Sequence, residues 1–182
     1  MKTGYIEYEF VKPRWNGGDW VAKSFNSTLE FNSSKSSFSY NKLSMLKEDN
    51  ELKILNENGF GFKGVDADSV GYLIYRDFLN SEILLRIPEK KPLDPISVKD
   101  DWVKINWTKK KSKKSILGYS CQLAIGEFRG RVYEVWFTDE IPLPYGPWKL
   151  YGLPGIIVEA TDLRNQIKFT ATEICYPCEL SQ

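Results

Sequence analysis

Histidine is absent from this chain of 182 residues, and its absence removes a good deal of chemistry. Without imidazole there is no Ser-His-Asp or Cys-His arrangement, no His-rich catalytic zinc site and no facial triad for iron. Excess charge is missing too. With 25 Lys and Arg against 24 Asp and Glu, no long-range field recruits nucleic acid or an anionic membrane. No apolar run approaches the ~20 residues that cross a bilayer, so no transmembrane segment is expected. The start, Met1-Lys2-Thr3-Gly4-Tyr5-Ile6-Glu7, lacks the apolar core of a secretory signal. Gly59-Phe60-Gly61-Phe62-Lys63-Gly64 is glycine-rich but has the wrong spacing for a phosphate loop. No metal and no cofactor are expected.

What the chain does contain is strand-forming sequence. Aromatic residues make up 14%, and they favour strands while supplying planar surfaces for binding. Residues 5–10 alternate aromatic or aliphatic with acidic side chains, the period-2 pattern of a strand with one wet face. Similar stretches occur at 28–31, 37–40, 70–78, 81–87, 100–108, 116–124, 129–138, 155–161 and 166–174, roughly ten in all, joined by short polar turns. Residues 11–24, with Trp15, Gly17-Gly18 and Trp20, are expected to form a loop or irregular hairpin. Only residues 41–58 space their leucines in a way closer to helical than alternating. The lysine run at 109–114 is expected at a hairpin tip. One domain over residues 1–182 is predicted: mainly β, a single antiparallel, strongly curved sheet or an open or closed barrel, with at most one short helix.

The rest is organised around residues 141–155, where four of the nine prolines fall together with three glycines. Neither a helix nor an interior strand can run through them. Yet Leu143, Tyr145, Trp148, Leu150, Tyr151 and Leu153 are too apolar for a solvated linker. An ordered, packed loop is predicted, its path set by Pro142, Gly146, Pro147, Gly152, Pro154 and Gly155. Leu153-Pro154-Gly155-Ile156 suits a type II turn, with Gly155 at the positive-φ position. Residues 155–161 then leave as a strand with Ile156 and Val158 on one face and Ile157 and Glu159 on the other.

The block 118–162 resembles the core of the GLPGLI proteins of Bacteroidetes, whose motif stands here as Gly152-Leu153-Pro154-Gly155-Ile156-Ile157. The resemblance implies export to the periplasm, the chain being a processed one, although a cytoplasmic protein would share the same N-terminus. It makes Arg131, Trp136, Gly146-Pro147-Trp148-Lys149 and Gly152-Leu153-Pro154-Gly155 distinctive, and it implies no activity.

Cys175-Tyr176-Pro177-Cys178 looks like a redox pair, but too few residues follow it for the helix that such a pair opens. In an exported protein a disulfide from Cys121 to Cys175 or Cys178 is expected, leaving the third thiol free. Two indoles and two cations on or beside a pre-ordered loop, Arg131, Trp136, Trp148 and Lys149, could form a recognition surface. Alternatively the tryptophans are core and the cations cover them. Glu159 and Asp162 are the acidic candidates for chemistry, and Lys149 could activate a hydroxyl such as Ser120 or Thr138. The ordinary role for Glu159 is an ion pair with Arg131 or Lys149. The leading expectation is an exported, non-catalytic binding or accessory protein, its aromatic-lined groove or cavity holding a peptide, lipid or small ligand. A histidine-free hydrolase, for example a peptidase using carboxylate or lysine, is the alternative. A structural partner of an envelope protein complex is the third.

Overall fold

The computed structural model describes residues 2–15, 17–40, 70–89 and 94–178. The expected helix at 41–58 and the glycine-rich stretch at 59–64 lie outside them. Among the described residues eleven strands run in chain order: β1 (Gly4–Trp15), β2 (Trp20–Phe31), β3 (Lys35–Tyr40), β4 (Tyr72–Asp77), β5 (Glu82–Ile87), β6 (Ile96–Asp100), β7 (Trp107–Ile116), β8 (Tyr119–Phe128), β9 (Arg131–Thr138), β10 (Ile156–Asp162) and β11 (Lys168–Cys175). All belong to one sheet, in the order β6-β5-β4-β3-β2-β1-β11-β10-β9-β8-β7, and every pairing is antiparallel. The mainly β prediction holds, and no helix occurs among the described residues.

The first and last strands meet in the middle of the sheet, with Phe10 opposite Phe169. Each half is therefore a meander running outward from that junction, and the two edges, β6 and β7, are consecutive in the chain. In a flat sheet ten spacings of ~4.8 Å would part those edges by ~48 Å. The seven Cα steps from Asp100 to Trp107 reach ~25 Å at most. The sheet must curl until its edges approach, and residues 101–106 span the remaining seam. No β6–β7 ladder closes it into a barrel.

Alternation decides which face turns inward. Ile6, Tyr8 and Phe10 on β1, Phe25, Leu29 and Phe31 on β2, Tyr133, Val135 and Phe137 on β9, and Phe169 on β11 are all buried. The loop 139–155 lies within the curl, as its apolar content predicts: Ile141, Tyr145, Leu150, Tyr151 and Leu153 are buried. Its own bonds hold its path, among them Gly152 N–H to Pro144 O (3.0 Å) and Ile157 N–H to Tyr145 O (2.9 Å).

Local geometry corrects several expectations. The positive-φ glycine of the motif is Gly152 (φ +96°), not Gly155. Gly155 is needed for space: a Cβ there would sit 2.0 Å from Thr138 O. The ladder slips between Ile157 and Glu159, pairing Ile157 with Phe137 and Glu159 with Trp136. This bulge at Val158 puts Ile157 inside and Glu159 outside, undoing the strict alternation expected there. The lysine run is not a hairpin tip. It lies within β7, an edge strand, and the turn falls at Leu117-Gly118, both at positive φ. Lysines and a break in register between Lys109 and Lys113 are what an edge needs to refuse another strand. The 11–24 stretch is likewise mostly strand, the far half of the β1–β2 hairpin.

Cys121 sits on β8, three strands from β11. Some 14 Å separate strands that far apart, beyond the reach of a disulfide. Cys175 instead bridges to Cys178, and Cys121 is buried and free.

Candidate functional site

The residues singled out from the sequence do not converge on one hollow. They divide into three groups, each built around an ion pair.

Arg131 opens β9 and Asp162 closes β10, so the two strand ends bring them together: Nη1 donates to Asp162 Oδ2 at 2.5 Å and to Gln166 Oε1 at 3.0 Å. Asp162 is buried, and its other oxygen accepts from the Gln166 and Ile167 amides (2.7 and 2.8 Å). The carboxylate thus shapes the turn into β11.

Trp136 and Glu159 are cross-strand neighbours on the outer face. Lys114 of β7 bridges them, pairing with Glu159 and resting 4.4 Å from the Trp136 ring centre. The partner of Glu159 is therefore Lys114, not Arg131 or Lys149, because the bulge turned Glu159 outward. Beneath lies Cys121, whose thiol burial pushes up to about 11, which keeps it protonated and unreactive.

Trp148 and Lys149 form the third group, at the seam. Trp148 takes positive φ (+50°), costly for a bulky residue and sustained only by surrounding packing; its ring meets Phe128 edge-on at 5.7 Å. Lys149 Nζ donates to Asp100 Oδ2 at 2.5 Å, and Arg129, from the β8–β9 turn, donates to both Asp100 oxygens at 2.7 and 2.8 Å. Partial burial works against the Asp100 carboxylate, yet the bonds from Lys149 and Arg129 hold it below the usual range. Lys149 is thus engaged with Asp100, and Thr138, one of the two hydroxyls considered with it, is buried at the start of the loop. Asp100 is a node that sequence reasoning missed. It joins edge strand, turn and loop, partners distant in sequence, so no local pattern marks it.

Beside this node lies an open depression of ≈ 570 Å³ lined by Val103, Lys104, Asn106, Glu127, Phe128 and Arg129. Phe128, itself buried, backs it, and an amide, two cations and a carboxylate line the rest. Trp107 of β7 closes the neighbouring interior: its ring packs where a Cβ on Gly126 would fall, and Nε1 donates to Tyr151 O at 2.9 Å. The Tyr151 hydroxyl donates to Val103 O at 2.6 Å, tying the loop to the seam.

On the other side of the curl the loop is held by Arg76 of β4, fully buried. Nη2 donates to Gly146 O (2.7 Å), Nη1 to Leu150 O (3.2 Å) and Nε to Ser36 Oγ (3.1 Å). Burial lowers the guanidinium to about 10 despite the tyrosines around it. The planar fork suits two carbonyls a few residues apart, a geometry lysine cannot reproduce. Arg76 too escaped the sequence reading, since nothing local distinguishes it from a solvated strand arginine.

Among the described residues no group of His, Cys, Asp or Glu has the arrangement of a metal site, and no helix is long and apolar enough to cross a membrane. No family model matches the chain, and no curated protein matches it. Its architecture is similar to two solved structures of PNGF-II, in C2 and P21 space groups, with TM-scores of 0.65 and 0.63 at 17% and 16% identity. In both, the whole of this chain is covered but only 29% of the PNGF-II chain. At such identity the likeness is one of fold.

Proposed function

We propose that this chain is a non-catalytic binding or accessory module of the exported GLPGLI type, which takes a peptide or similar small ligand in the seam depression. The observation that carries this is the fixed frame around that depression. Arg129 and Phe128 line it, and both are locked from behind, one by Asp100 and the other by Trp148. Side chains held before the ligand arrives lose little entropy on binding. A mixed lining of Phe128, Asn106, Lys104, Arg129 and Glu127 suits a peptide backbone with a charged end. The apolar loop 139–155 is packed into the interior, which favours a groove at the seam over an interior cavity as the ligand's place. The Cys175–Cys178 bridge supports an oxidising compartment.

A pool of short peptides titrated against the protein, with Trp148→Phe as the control that assigns the fluorescence change, tests this. Binding should weaken about tenfold in Arg129→Gln and in Asn106→Ala, both outside the core so that folding stays intact, as for anchoring side chains at other interfaces. Saturable binding that ignores both substitutions would overturn the site. Turnover of any peptide, lost in Glu159→Gln or Lys149→Ala, would overturn the non-catalytic assignment in favour of a hydrolase.

A further inference from the structure

Between Trp102 and Gly126 the chain carries six lysines, Lys104, Lys109, Lys110, Lys111, Lys113 and Lys114, and no arginine, aspartate or glutamate. In a chain whose total is +1 this is a concentrated excess, and five of the six stand on β7. Thr108 to Ser115 are all exposed, so β7 lacks here the in-and-out alternation that a packed face imposes. Lys114 is engaged by Glu159. No ion pair engages Lys109, Lys110, Lys111 or Lys113 among the described residues.

The ladder with β8 draws these four together. Lys109 lies opposite Ala124 and Lys113 opposite Gln122, so four steps of β7 face two steps of β8. Regularly paired, four steps would extend ~14 Å, whereas here they fit within ~7 Å and residues 110–112 bulge between. The Gln122 side chain holds the bulge, its Nε2 donating to Lys110 O at 2.6 Å. Crowding like charges is unfavourable. Edge protection accounts for a bulge and a charge, but not for gathering four cations into half their natural length. Of the carboxylates nearby, Glu159 belongs to Lys114 and Asp139 shares a small hollow with Lys113, so the balance stays positive. An anion with several charges would relieve it.

We infer that this lysine cluster docks an acidic stretch of polypeptide, which runs on into the seam depression. This deepens the reading given above and rests on it for the depression alone. Lys104 lines the depression and stands five residues before Lys109, ~17 Å at most, so one short extended peptide reaches both. Carboxylates on one face of an extended chain repeat every ~7 Å, which matches the separation of Lys109 from Lys113. A lipid surface fits less well: from Thr108 to Ser115 only Thr, Lys and Ser occur, and nothing there inserts among acyl chains. Nucleic acid also fits less well, since that stretch holds no arginine and no aromatic on which a base could stack.

Fluorescence polarisation with labelled octapeptides, one alternating Glu with Ser and one alternating Gln with Ser, tests the inference. At low salt the acidic peptide should bind at least about tenfold more tightly than the neutral one, and most of that advantage should vanish at about 0.5 M salt. Lys110→Gln with Lys111→Gln, both exposed, should weaken the acidic peptide about fivefold and leave the neutral one unchanged, the effect of two ordinary exposed ion pairs. Circular dichroism melts keep folding separate. An acidic peptide that binds no better than the neutral one, or whose advantage survives the lysine variant, would overturn the inference, and the neutral peptide's response to Arg129→Gln would still report on the depression. Acidic binding that needs the lysines but ignores Arg129→Gln and Asn106→Ala would keep the lysine surface and overturn the depression. An oligothymidylate of equal charge that binds more tightly than the acidic peptide would overturn the choice of partner.

Discussion

Replacing Arg76 by Met would remove the fork that holds the loop while keeping most of the side chain's volume. Two effects then oppose. The carbonyls of Gly146 and Leu150 lose their donors inside the protein, at ~1–3 kcal/mol each, so ~2–6 kcal/mol together. Against this, the cation no longer has to be buried. A guanidinium lowered by burial to about 10 corresponds to ~3 kcal/mol at 1.36 kcal/mol per pKa unit. The net destabilisation is ~1 kcal/mol, small beside what the loop itself should feel. Arg76→Ala adds the loss of the buried stem and a cavity, ~2–5 kcal/mol more, for ~3–6 kcal/mol in all. Urea unfolding gives the global values, and hydrogen exchange by mass spectrometry gives the loop. Peptides covering 139–155 should lose protection in Arg76→Met while those within the strands β8, β9, β10 and β11 keep it. Unchanged protection of the loop in Arg76→Met, or a global cost equal to that of Arg76→Ala, would refute the assignment of Arg76 as its clamp.

Raising the pH should unfold the protein through its tyrosines. Burial raises Tyr8, Tyr40, Tyr133, Tyr145 and Tyr151, with Tyr133 and Tyr145 pushed to about 12. Their contribution is complete below pH ~10, the unfolded value, and is lost as pH climbs through the folded ones. Arg76, lowered to about 10, acts in the opposite sense above that pH but counts for one proton against five. Half of the ten tyrosines should thus ionise only as structure is lost, as tyrosinate absorbance followed alongside circular dichroism would reveal; smooth ionisation of all ten in a folded protein would contradict this. Gly155→Ala, whose Cβ would meet Thr138 O at 2.0 Å, should cost ~3 kcal/mol or more in urea unfolding, as overpacking against backbone does. The Tyr133 hydroxyl is buried without a hydrogen-bond partner, so Tyr133→Phe should leave stability unchanged or raise it by ~1 kcal/mol in the same assay.

Much was legible in the residues alone. Period-2 alternation announced most of the strands, because a sheet with one buried face imposes it on every strand regardless of partner. Four prolines and three glycines excluded regular structure at 141–155, and the apolar residues between them required packing. Those are local constraints of backbone and solvent, and they need no knowledge of the rest of the chain. Tertiary structure decided what depends on residues far apart in sequence. It placed β1 against β11 and curled the sheet until residues 101–106 could join its edges. It shifted Glu159 outward through a single bulge, and it sent the lysines to an edge rather than a tip. Arg76 and Asp100 look in the sequence like any charged residues on strands. What makes them matter is that carbonyls and cations from elements seventy or more and twenty-nine or more residues away converge on them, and convergence of that kind is a property of the folded curl alone.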